Sequence, residues 1–78
     1  MMATARVDQM LATLNATDVG SLDSIALKVL QVRADLQALD QGELAAAADA
    51  AVFALRRGDV AEFKRKRAFL QSKIGHLR

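Results

Sequence analysis

Residues 21–39 read SLDSIALKVLQVRADLQAL, and this stretch decides the fold. Its stripe of large apolar side chains is Leu22, Ile25, Val29, Val32, Leu36 and Leu39. The steps alternate between three and four, so these residues line one side of an α-helix. Steps of two, which a half-buried strand requires, do not persist over a strand's length anywhere in the chain. Ser21 has the hydroxyl of a helix N-cap, and Asp23 suits the positive end of the helix dipole. The repeat covers about two and a half heptads, enough to pack in a bundle but short of a free-standing coiled coil.

The same spacing recurs on both sides. Upstream, Val7, Met10, Leu11 and Leu14 predict a helix over about 5–14, with Thr4 as its N-cap and a polar connector at 15–20. Downstream, Asp40 and Glu43 stand three apart as in a capping box, and Gly42 interrupts the pattern. The second helix is therefore expected over 22–39 and a third over 41–57, with Leu44, Ala48, Ala51 and Leu55 facing inward. Gly58 is a C′ signal, and Asp59 with Glu62 forms another capping box. A fourth helix follows over 60–75, its buried stripe Val60, Phe63, Leu70, Ile74 and Leu77. So short a break makes the last two helices an antiparallel αα-hairpin. The expected fold is all-α: one helical domain over 1–78, a small three- to four-helix bundle. The choice between three and four turns on how firmly the short first helix docks.

Composition agrees and narrows the function classes. The 78 residues include no proline, cysteine, tryptophan or tyrosine and only four glycines. The 53% hydrophobic fraction contains 16 alanines, which leaves 25 large apolar side chains for a core. A chain this short is marginal unless it packs well or associates. Lack of cysteine excludes disulfides and thiolate metal sites and fits a reducing cytoplasm, the expected location. The most apolar window, residues 44–55, is too short to span a membrane and carries Asp49. Arg6 followed by Asp8 is wrong for a secretory signal. His76 is the one histidine, no nucleophile stands beside a base, and no glycine-rich loop is present. The sequence thus offers no catalytic residues, no metal ligands and no cofactor or small-molecule site.

Charge supplies the functional expectation. Residues 1–50 carry three bases against seven acids, a balance of −4, whereas residues 51–78 carry eight against two, a balance of +6. The bases cluster at Arg56, Arg57, Lys64, Arg65, Lys66, Arg67, Lys73 and Arg78. Arg67 falls near the apolar stripe and is expected to snorkel past it. Phe69 lies about 120° from Phe63 on the same helix, among Arg65, Lys66, Ser72 and Lys73. Phe53 lies nearly opposite its own helix's stripe, close to Arg57.

Rings among bases are the composition of interface anchors. The partner-binding set is therefore Phe69, Phe53, Arg56, Arg57, Arg65, Lys66 and Lys73. Burial of Phe69 on Ala46 and Ala50 within the hairpin is the alternative. The second helix carries an additional apolar face of Leu27, Leu30, Ala34 and Ala38, expected to serve self-association through Leu27, Leu30 and Ala34. A helical protein-interaction module, forming a homo-oligomer, is the leading expectation. A small nucleic-acid-binding or accessory regulatory protein that uses the basic C-terminal helix is the competing one. A helix-turn-helix around Gly58 fails because Lys64 stands where the second helix needs an apolar residue. Lys64 to Arg67 also matches a simple nuclear-import tetrapeptide, a pattern of low specificity.

Overall fold

A computed structural model describes residues 2–77, with side chains from residue 5 onward. The four helices are α1 (Met2–Asn15), α2 (Leu22–Ala38), α3 (Gly42–Arg56) and α4 (Val60–Gly75), with a 3-10 turn at Ala16–Asp18. They pack in a ring: α1 on α2, α2 on α3, α3 on α4, and α4 back on α1. Two crevices give the directions. Val7, Leu39 and Leu77 meet at one end, while Thr17, Leu22, Leu55 and Val60 meet at the other. Each helix therefore runs opposite to the one before it. All-α architecture and the C-terminal antiparallel hairpin follow as expected from the spacing.

The core is built from the predicted stripes. Val7, Met10, Leu14, Ile25, Val29, Val32, Leu36, Phe63, Leu70 and Ile74 are all buried, as are Ala48, Ala51 and Leu55. Because Met10 and Leu14 are wholly enclosed, α1 is a full member and the bundle has four packed helices. Ala26, Val52, Ala45 and Ala54 are buried as well. Four of the buried alanines belong to α3, which packs on α2 on one side and α4 on the other. Small side chains let helix axes approach closely, so little area is buried per residue but few gaps remain.

Turn chemistry explains the tight connections. The Ser21 hydroxyl accepts from the Ser24 amide at 3.1 Å, and the Asp59 carboxylate accepts from the Glu62 amide at 3.0 Å. Both α2 and α3 end in a Schellman motif. After α3, Gly58 takes a φ of +81° while the Asp59 amide donates to the Ala54 carbonyl at 2.9 Å. After α2, Asp40 takes the left-handed position with a φ of +62°, and the Gln41 amide donates to the Leu36 carbonyl at 2.8 Å.

Three expectations change here. Asp40 is not the cap of α3 but the C′ residue of α2; Gln41 occupies the N-cap position without a side-chain cap bond. Thr4 lies inside α1, which begins at Met2. Leu22 and Val60, expected on buried stripes, are 58% and 49% exposed. Each is the first residue of its helix and sits at the rim of the bundle, where neighbouring elements cover only part of the side chain.

Candidate interaction surface

The basic hairpin is partly neutralised from within. Glu62, in the first turn of α4, pairs with Arg65 one turn on and with Lys66 at 3.8 Å. The hydrogen bond from Arg65 holds the Glu62 carboxyl below the usual carboxylate range; desolvation and the Asp59 charge oppose it, and the charges of Arg65 and Lys66 add to it. The same contact raises Arg65. Arg57 pairs with Asp59 at 3.2 Å. Arg67, as its position on the helix demanded, passes the core: it lies 5.8 Å from the centroid of the Phe63 ring. Its guanidinium donates to Asp18 at 2.5 Å and to the buried Thr17 hydroxyl at 3.1 Å. Thr17 in turn donates to the Leu14 carbonyl at 2.6 Å. Arg67 thereby ties α4 to the end of α1, joined nearby by Gln71, which donates to Asn15 at 2.9 Å. That leaves Arg56, Lys64 and Lys73 as the described bases of the hairpin with no acid within ion-pair reach. Arg78 lies outside the described side chains.

The rings stay in solvent. Phe53 is 64% exposed with the Arg57 guanidinium 5.4 Å from its centroid, and Phe69 is 45% exposed with the Lys73 ammonium at 5.8 Å. Such cation–π stacks are worth about 0.5–1 kcal/mol at exposed sites. The covered part of Phe69 lines a shallow groove of about 340 Å³ between the start of α3 and the end of α4. Leu44 and Leu77 lie with it there, and Lys73, His76 and Glu43 complete the wall. Phe69 is therefore neither core nor fully free.

On α2, the second apolar face divides. Leu30 is partly buried against the core, whereas Leu27 is 67% exposed and Ala34 is exposed. Arg33 of α2 lies 2.6 Å from Asp49 of α3, with its Nε–H too poorly aligned for a directed hydrogen bond. This contact fixes the level of the two helices. At 100° per residue, Leu27, Ala34 and Ala38 form an outer strip of α2, and Ala46, Ala50 and Phe53 an outer strip of α3. Leu30 lies on the edge of α2 that faces α3. The structure thus divides the ten expected contact residues between two outer surfaces. Leu27, Leu30, Ala34, Phe53, Arg56 and Arg57 flank the α2–α3 side, and Arg65, Lys66, Phe69 and Lys73 occupy α4.

The residues at the far end were not foreseen as a surface. Leu22 and Val60 flank a crevice of about 210 Å³ beside Ile25, Phe63 and Lys64. The legible signal was their position at N1 of a helix, where a side chain lies at the rim. Among the described residues, no group of three or more His, Cys, Asp or Glu side chains could hold a metal. No helix there is long and apolar enough to cross a membrane. Compared with family models, curated proteins and solved structures, the chain matches none of them.

Proposed function

We propose that this chain is a non-catalytic helical interaction module that self-associates and contacts a protein partner through its basic C-terminal hairpin. The observation that carries the reading is the pair of solvent-facing phenylalanines, each with a base over its ring. Solvent-exposed rings of this kind gain most when a partner excludes water from them. Phe69, set in its groove, is the anchor, and Lys66, Lys73 and Arg65 supply orientation and on-rate. Four of the hairpin's bases, Arg57, Arg65, Lys66 and Arg67, already face acids of the same chain, which favours a protein surface over a run of phosphates. A cytoplasmic location, suited to a cysteine-free chain, belongs to the same proposal.

The test is isotope-edited NMR with two probes, an acidic amphipathic peptide and a DNA oligonucleotide, on the full chain and on Phe69→Ala. The proposal expects peptide-induced shifts centred on Phe69, Lys66 and Lys73, weakened about tenfold or more by Phe69→Ala while circular dichroism is unchanged. An oligonucleotide complex that weakens steeply with salt and ignores Phe69→Ala would transfer the function to nucleic-acid binding.

A further inference from the structure

The α2–α3 side of the bundle grades from large to small along its length. At one end stand the exposed side chains of Leu27 and Phe53. At the other, Ala38 on α2 and Ala46 on α3 leave the surface low, with Ala34 and Ala50 in between. Charge follows the same axis. Arg56 and Arg57 close the Phe53 end of α3, while Asp40 and Glu43 flank the start of α3 at the alanine end. Among the described residues, Asp40, Glu43 and Arg56 have no ion-pair partner. Along α3, with the Phe53 ring and bases at one end and a hollow and acids at the other, the surface complements itself when reversed.

We propose that the occupant of this side is a second copy of the chain, related by a two-fold axis that runs across the helices. This deepens the self-association proposed above and rests on it. Such an axis reverses the helix direction and lays α2 on α2 and α3 on α3. Phe53 of one copy then enters the hollow at Ala46, and Leu27 the hollow at Ala38. The two fits agree on one axis. Phe53 over Ala46 or Ala47 places it at Ala50, and Leu27 over Gln37 or Ala38 places it at Val32. The Arg33–Asp49 contact puts those two positions at the same level of the bundle.

Reversal also brings Arg56 and Arg57 to Asp40 and Glu43 of the other copy, twice. Asp49 comes close to its own counterpart at the axis, but each carries Arg33 at 2.6 Å, so the approach is between ion pairs. The opposite choice, an axis along the helices, would set the two large ends together and base against base. The molecule measures 36 × 22 × 18 Å, so one long side offers on the order of 700 Å², near the ~800 Å² per partner of a standard interface. Phe69 and Lys73 on α4 remain outside this contact, and the groove they line meets it only at Glu43.

The experiment combines sedimentation with single introduced thiols, which are unique in a chain without cysteine. The native chain sediments as a dimer. Leu27→Asp with Phe53→Asp gives a monomer of unchanged helicity, and because each change acts twice the dissociation constant rises at least about a hundredfold. Phe69→Asp stays dimeric. Under mild oxidation Gln31→Cys, near the axis, cross-links to itself. Ala38→Cys and Leu27→Cys do not cross-link alone but join each other when mixed. A native monomer at every soluble concentration overturns this interface and the self-association together. A dimer that survives the double substitution, or cross-links through Ala38→Cys alone, overturns this interface and leaves self-association standing.

Discussion

Asp40 holds the left-handed turn between α2 and α3 despite carrying a Cβ, whereas Gly58 holds the equivalent turn between α3 and α4 without one. The strain differs accordingly. Asp40→Gly should raise stability by roughly 0.5–1 kcal/mol, the left-handed penalty less glycine's extra entropy loss. Gly58→Ala meets no neighbouring atom within 4 Å, so its cost is conformational alone, about 1–2 kcal/mol. Urea unfolding at matched protein concentration reads both, and the two changes must have opposite signs.

Glu62 offers a second test at this scale. Its carboxyl is held low chiefly by the hydrogen bond from Arg65. A carboxyl whose folded value is depressed contributes stability above its unfolded value, and the contribution disappears as pH falls through the depressed one. The pair lies at the surface, with Arg65 largely open to water, and solvent screening keeps that contribution small. Arg65→Gln should therefore move the Glu62 titration midpoint upward, measured by NMR at the side-chain carbonyl, with little change in melting temperature.

Among the elements, α3 is the one whose composition governs the packing. Ala48 and Ala51 are wholly buried, while Ala46 is exposed on the outer strip. Ala51→Leu should overpack the core and cost about 1–3 kcal/mol in thermal or urea unfolding. Ala46→Leu adds the same atoms to open surface and should leave monomer stability within about 0.5 kcal/mol. It also fills the hollow proposed to receive Phe53, so sedimentation should show weaker dimerisation at unchanged fold. The helices were legible in the sequence because apolar steps of three and four, a serine cap and a glycine stop each have a local cause. What spacing alone could not show depends on neighbours distant in the chain. Leu30 is covered and Leu27 is not because α3 lies on one edge of α2. Arg67 finds Asp18 across 49 positions of sequence, which no local pattern announces. Asp40 departs from the expected cap for a local reason: aspartate three before glutamate has the form of a cap, yet aspartate also tolerates the left-handed turn.

In the whole molecule, the −4 and +6 halves of the chain do not become two poles. The ring sets acid-bearing α1 and α2 beside α3 and α4, and Arg67–Asp18 ties the two halves of the chain together laterally. In the proposed association, electrostatics therefore orients more than it drives. In the proposed reversed dimer the intermolecular charge pairs would lie at the ends of the interface, open to water, where each is worth about 0–1 kcal/mol and is screened by salt. The contacts of Leu27 and Phe53 with the alanine hollows are apolar and do not weaken with ionic strength. Raising salt from about 50 to 200 mM should thus weaken dimerisation by less than about tenfold, whereas contact with six to ten phosphates would lose about 10³–10⁵. Light scattering across protein and salt concentration measures this slope on the native chain. A steep slope would mean that unpaired bases, not the rings, carry the association, and would move the contact to Arg56, Lys64 and Lys73.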